Sequence, residues 1–151
     1  MLIWNLNAYS QDEKIASSEE LQKWIAKDKE STRAKTDDNI LIVIVKVKDE
    51  SKQEFEIWIK DVLYSALYKS ESEMKKAQLK ATRWLEPVRQ NQDSTWTYSW
   101  IMDPLIPETN YDIPKFLNLE YGVELGKKHW EKYMTLIAEP PQSIVLKQTD
   151  F

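Results

Sequence analysis

Residues 40–45 form an unbroken run of isoleucine, leucine and valine, and this run constrains the fold more than any other segment. β-branched residues favour extended backbone, and a strand that is apolar at every position needs cover on both faces of its sheet. The run is far too short to cross a bilayer as a helix. It therefore predicts a central strand over residues 40–47.

Alternation of apolar and polar residues predicts further strands after this one. Phe55, Ile57 and Ile59 alternate with more polar neighbours, which predicts a half-buried strand over residues 55–60 with Trp58 on its wetter face. A third apolar run covers residues 62–68. Because short polar turns separate the three segments, they predict an antiparallel meander.

Other segments of the chain predict additional strands. Trp96, Tyr98 and Trp100 alternate with Thr97 and Ser99, which is typical of a strand with three rings on one face. Residues 2–7, 116–119 and 143–146 each predict a short strand. Residues 82–88 stay ambiguous, because a proline within them argues against a central strand.

Two segments have the spacing of amphipathic helices. Ser17 and Glu20 have capping-box spacing, and the apolar residues that follow recur every three to four positions as far as residue 25. Residues 122–138 show the same spacing, and Pro140-Pro141 ends them. The predicted fold is α+β: a single antiparallel, meander-rich sheet of about five to six strands, with an N-terminal and a C-terminal helix packed on it. It spans residues 1–151 as one domain.

Composition excludes most catalytic designs. The chain has no cysteine, two glycines and one histidine, His129. Phosphate-binding loops need several glycines, and metal or triad sites need more histidine or cysteine than this. We therefore expect no cofactor, no metal and no enzymatic role, with His129 partly exposed on a helix surface. Carboxylate pairs such as Glu54 and Glu56 are expected on solvated faces.

Charge and hydropathy limit the classes of partner and the cellular compartment that the sequence predicts. The formal net charge is −4, and no cluster of lysine or arginine exceeds what one helix face carries. Nucleic-acid binding is disfavoured for that reason, whereas a modestly acidic surface suits a basic protein partner. No signal peptide or membrane span is expected, and the absence of cysteine fits a reducing compartment. These features predict a cytoplasmic protein that does not bind membranes.

The aromatic strand and the proline-rich loop after it are the predicted partner-binding region. Seven tryptophans and seven tyrosines are many for 151 residues, and aromatic rings often anchor interfaces. A loop stiffened by proline loses little entropy on binding. The stripe of rings is more often the covered face of a sheet, and the loop could equally be an ordinary connector. The predicted contact residues are Trp96, Tyr98, Trp100, Asp103, Glu108, Tyr111 and Asp112.

The order of elements resembles one protein family. A helix opened by Ser-x-x-Glu precedes a run of strands and the dipeptide Ile113-Pro114, and the helical pattern over residues 122–138, Pro141 and the strand pattern over residues 143–146 close the chain. Residues 55–61 (FEIWIKD) are similar to the middle strands of the same family. This is the first-described immunity-protein family of bacterial polymorphic toxin systems, whose members bind and block deaminase or nuclease toxin domains.

The resemblance implies a non-catalytic inhibitor that occludes the active site of a cognate, basic toxin domain. Three alternatives stay open: a phage- or plasmid-encoded antagonist of a defence complex, an enzyme that uses carboxylates or tyrosines, and a structural or oligomeric domain. The sequence identifies neither the partner, nor the face that binds it, nor the oligomeric state.

Overall fold

The computed structural model describes residues 33–150. The strand predicted over residues 2–7 and the N-terminal helix predicted from Ser17 lie outside the described residues. Four strands form one antiparallel sheet in the order β2-β3-β1-β4. They are β1 (Asn39–Lys48), β2 (Thr82–Leu85), β3 (Thr95–Met102) and β4 (Gln142–Lys147).

Helices cover one face of this sheet. A short 3₁₀ turn (Asp49–Ser51) leads from β1 into a continuous helical stretch, of which the middle is a π-helix. The helical elements are α1 (Lys52–Trp58), the π segment (Ile59–Tyr64), α2 (Ser65–Lys69), α3 (Glu73–Ala81), α4 (Ile113–Tyr121) and α5 (Val123–Leu136). Among residues 33–150, no helix combines the length and the apolarity that a membrane crossing needs.

The structure confirms the coarse prediction of an α+β fold with one antiparallel sheet. β1 lies between β3 and β4, so the apolar run at residues 40–45 does occupy a central strand. β3, β4 and α5 also form close to where the pattern predicts them. The described residues contain four strands, fewer than the predicted five to six.

The predicted meander is wrong, because residues 52–69 are helical rather than two strands. Trp58 is 5% exposed and Ile57 is 48% exposed, which is the opposite of what the strand prediction requires. Burial instead follows a helical spacing of three to four residues. The buried apolar residues are Phe55, Trp58, Ile59, Val62, Leu63 and Ala66. The similarity of residues 55–61 to a family's middle strands therefore does not extend to their backbone conformation.

Two smaller predictions also need correction. Residues 116–119 belong to α4 rather than to a strand, because Asp112 accepts a hydrogen bond from the Lys115 amide and caps the helix, with Pro114 in its first turn. His129 is buried rather than partly exposed, since α5 turns it toward the ring of Tyr121.

The core lies between the helices and the covered face of the sheet. Phe55 of α1 contacts Tyr98 of β3, with 4.9 Å between ring centroids, and Trp58 contacts Tyr133 of α5 at the same distance. Val45 is fully buried beneath these rings. Tilted ring pairs of this kind add to the stabilisation that their buried area already provides.

Candidate functional site

The structure divides the predicted contact residues between the core and the surface. Tyr98 and Trp100 are buried, and Trp96 is half-buried with its indole nitrogen donating to Asp49 Oδ1 at 2.8 Å. The Tyr98 hydroxyl donates to Glu56 Oε1 at 2.6 Å. These rings therefore pack the sheet against the helices, and Tyr98 and Trp100 offer no exposed surface to a partner.

Glu56 is held by two donors at the edge of this aromatic core. Lys52 Nζ lies 2.6 Å from the Glu56 Oε1 atom that also accepts from Tyr98. Burial opposes the ionised form, but the hydrogen bonds from Lys52 and Tyr98 outweigh it, and the pKa of Glu56 falls below its ordinary value. Burial together with the Glu56 carboxylate raises the pKa of Tyr98. Glu56 is thus a structural carboxylate that stays ionised, rather than a proton donor.

Asp103 is a structural residue as well. Its side chain is buried, forms an ion pair with Arg83, and accepts a hydrogen bond from the Ala34 amide at 2.7 Å. Arg33 Nε lies 3.6 Å from the same carboxylate. Asp103 therefore ties the first described residues to the ends of β2 and β3, and it is not free to contact a partner.

The loop between β3 and α4 is held by hydrogen bonds from neighbouring elements. Tyr111 accepts a hydrogen bond from the Ile106 amide at 2.9 Å, and Gln78 of α3 donates to Thr109 Oγ1 at 2.8 Å. Lys75 Nζ donates to the Asn110 carbonyl at 3.1 Å. Glu108 is exposed at the tip and adopts a positive φ of 58°. The loop is therefore preorganised, as the sequence predicts for a proline-stiffened segment.

This loop forms one wall of an apolar cavity of about 360 Å³. Trp100, Tyr111 and Asp112 all line the cavity, so the structure brings three of the predicted residues together around one space. Most of the wall is apolar and comes from the sheet, the π segment and four helices. Among the apolar lining residues are Val43, Leu63, Leu67, Leu79, Phe116 and Trp130. Its volume lies at the lower end of the range for small-molecule pockets.

The other face of the sheet carries a second apolar surface. In antiparallel strands, directly paired residues point to the same face. Ile42 pairs with Ile101 of β3 and with Ile144 of β4, and Ile40 pairs with Leu146. These five residues lie on the face opposite the described helices, and we name them the open-face patch. Ile144 and Leu146 are exposed, and the other three are half-buried.

β4 is the most exposed element of the sheet. Each of its six residues is exposed, including Ile144 at 46%, Val145 at 57% and Leu146 at 51%. Monomeric proteins rarely expose three consecutive aliphatic residues on an edge strand that lacks a proline or a bulge. Sequence patterns predict this strand but not its exposure, because position at a sheet edge depends on how distant segments pair.

The outer edge of β4 has backbone hydrogen-bonding groups that no other described strand pairs. Beyond the last paired residues, Gln148 donates to the Asp38 carbonyl at 2.8 Å and accepts from the Asp37 amide at 2.9 Å. Because inward and outward groups alternate along an antiparallel strand, Ile144 and Leu146 point their backbone groups toward β1. The N–H and C=O groups of Ser143, Val145 and Lys147 therefore point away from the described sheet.

Among residues 33–150, no three histidine, aspartate or glutamate side chains cluster in a way that could hold a metal ion. His129 is buried, and burial lowers its pKa to about 4, so the imidazole is neutral near pH 7. A neutral, buried histidine against Tyr121 is a packing residue rather than an exposed general base.

Comparison of the chain with protein-family models, with curated proteins and with solved structures found no match.

Proposed function

We propose that this protein is a non-catalytic binding protein and that it engages a protein partner through β4 and the adjacent open-face patch. The observation that carries the proposal is the exposure of all six residues of an edge strand whose centre is aliphatic. A partner strand that adds to such an edge gains main-chain hydrogen bonds, and side chains on either face give specificity. Ser143, Val145 and Lys147 supply the outward backbone groups.

The partner class that we propose is a basic toxin domain that this protein neutralises. Support comes from the formal net charge of −4, from the lack of catalytic constellations in the sequence, and from the resemblance to immunity proteins. Opposite charges on two partners speed association, whereas buried aliphatic contacts slow release. The contact surface that we propose is β4 rather than the rings of β3, because Tyr98 and Trp100 are buried.

Co-expression tests the function. We expect that co-expressing the chain with the toxin encoded by the adjacent gene restores growth of a bacterial host and yields a stable complex on gel filtration. If growth is not restored and no complex forms, the toxin assignment is wrong.

A pair of variants tests the surface. Val145→Lys places a charge at the centre of the β4 edge, and we expect it to weaken the complex by at least about tenfold. Val123→Lys, on an exposed position of α5, is the matched control and should bind as wild type does. If Val145→Lys binds normally, β4 is not the contact surface. If light scattering shows that the isolated protein is a dimer that Val145→Lys dissociates, a second copy occupies the edge and the proposal is wrong.

A further inference from the structure

The cavity beneath the β3–α4 loop has a basic group at its rim. Among the described residues that line the cavity, Lys75 is the only basic one. Its Nζ atom donates to the Asn110 carbonyl at 3.1 Å and lies 4.8 Å from the centroid of the Phe116 ring. No carboxylate of the described residues lies within ion-pairing distance of it. The ammonium is therefore half-buried beside an apolar space, and no described carboxylate is in direct contact with it.

The groups around Lys75 favour an added negative charge at this rim. Burial lowers the pKa of Lys75, which means that removal from water disfavours the ammonium, and the carboxylate of Glu120 compensates only from a distance. Asp112 also lines the cavity, but its Oδ1 atom accepts from the Lys115 amide and caps α4. A ligand anion next to Lys75 would supply the missing counter-charge in a partly desolvated place, where charge-assisted hydrogen bonds are strong.

The part of the cavity wall that the π segment supplies is apolar apart from the Tyr64 hydroxyl. Leu63 and Tyr64 of the π segment line it, and the Tyr64 hydroxyl lies in hydrogen-bonding contact with the Trp100 side chain. Burial raises the pKa of Tyr64 to about 12, so this hydroxyl is neutral at physiological pH. π-helical turns within helices are frequent at binding sites, because they change which side chains face a neighbouring space. These walls suit a hydrocarbon chain or ring and offer nothing for a second charge.

We propose that this cavity binds a small amphipathic carboxylate, with its apolar body between the sheet and the π segment and its carboxylate on Lys75. The cavity volume of about 360 Å³ accommodates a medium-length chain or a bicyclic ring. This site lies on the helix-covered side of the sheet, where Ser143 of β4 lines it, whereas the open-face patch lies on the opposite side. Lys75→Met tests the ligand site and Val145→Lys tests the protein-binding surface, so one proposal can be wrong while the other is right.

Calorimetry with matched probes tests the site. Decanoate, decanol and decylamine share one chain length and differ in the charge of the head group. We expect decanoate to bind wild-type protein with one site per chain, decanol to bind about tenfold more weakly, and decylamine more weakly still. Lys75→Met keeps the apolar stem and should reduce decanoate affinity to that of decanol, while decanol affinity stays unchanged.

Lys76→Met is the matched control. Lys76 lies next to Lys75 on α3 but pairs with Glu73 at 2.7 Å on the exposed side, so its loss should leave decanoate affinity unchanged. Equal affinity for the three probes, or equal effects of the two lysine variants, would overturn the proposal. Binding only to anionic phospholipid vesicles, with none to free decanoate, would also overturn it, because the ligand source would then be a membrane. Circular dichroism of each variant verifies that the fold is intact.

Discussion

Gly126 of α5 lies directly against Asn118 of α4: a Cβ atom at position 126 would stand 2.6 Å from the Asn118 backbone nitrogen and 2.7 Å from its Cα atom. Real side chains do not approach a backbone this closely. The two helices can therefore pack at their observed distance only while position 126 is glycine.

We expect Gly126→Ala to destabilise the protein although alanine is the better helix former. Alanine gains about 1 kcal/mol in helix propensity, whereas forcing α4 and α5 apart costs about 1–3 kcal/mol or more. The net loss in the free energy of unfolding should be up to about 2 kcal/mol, measured by urea titration. Gly122→Ala is the comparison: its φ of 81° strains any other residue, but no atom stands within 4 Å of the added Cβ. A stabilised Gly126→Ala variant would contradict the observed helix packing.

The ion pairs of Asp103 should make a measurable contribution to stability. Asp103→Ala leaves Arg83 and the Ala34 amide without their acceptor, so we expect a loss of about 2–3 kcal/mol in the free energy of unfolding. Glu108→Ala, on the exposed tip of the same loop, should change stability by less than about 0.5 kcal/mol. Thermal and urea unfolding of the two variants measure this. Equal stability of the two would mean that the buried contacts of Asp103 carry no net energy.

Helical burial in α1 predicts that substitutions at two adjacent positions change the free energy of unfolding by very different amounts. Trp58 is buried against Tyr133, so Trp58→Ala should cost about 3–5 kcal/mol. Ile57 is 48% exposed, and Ile57→Lys should change the free energy of unfolding by less than about 0.5 kcal/mol. If residues 55–60 were an alternating strand, Ile57 would be the sensitive position. Chemical denaturation of the pair therefore distinguishes the two backbone conformations directly.

His129 should make stability depend on pH in a defined window. Its pKa is about 4 in the folded chain and about 6.5 when unfolded, so the unfolded chain takes up the proton first as the pH falls. The free energy of unfolding should therefore decrease as the pH is lowered from about 7 to about 4, by on the order of 2 kcal/mol from this residue.

His129→Phe isolates this effect, because it keeps a ring next to Tyr121 and removes the titrating group. Carboxylates such as Glu56 also lose stabilising contacts in acid, but they do so in both proteins. The difference between wild type and His129→Phe in urea titrations at several pH values should therefore grow below about pH 6.5. A constant difference would show that the imidazole does not resist protonation in the folded state.

Local sequence pattern predicts much of the sheet, but it fails where the same residues satisfy both the helical spacing and the alternation of a strand. The run at residues 40–45 and the alternating rings of Trp96, Tyr98 and Trp100 have one reading each, and both form strands. Residues 55–60 do not: Phe55 and Ile59 are four apart, which satisfies a helix as well as a strand. Trp58 decides between them, because its burial fits only the helix.

The candidate sites depend on contacts that no local pattern reveals. The sequence pattern predicts Tyr111 and Asp112 as contact residues, and both line the cavity. Lys75 of α3 and Tyr64 of the π segment also line it, but no sequence pattern predicts that these two distant segments meet there. His129 is buried against the ring of Tyr121, a residue of the neighbouring helix α4. Burial, edge position and cavity shape depend on contacts between distant segments, so the spacing of residues along the chain does not predict them directly.

Among the strands of residues 33–150, β4 pairs with β1 alone. Asn39 and Lys147 pair at one end of that contact and are more than a hundred residues apart in the chain. Closing so long a segment costs entropy before any ladder bond compensates for it. We expect β4 to be the last strand to join during folding and the first to detach in the native state. Its amides should then exchange with solvent faster than those shared by β1 and β3, which makes the proposed contact surface also the least stable unit of the sheet.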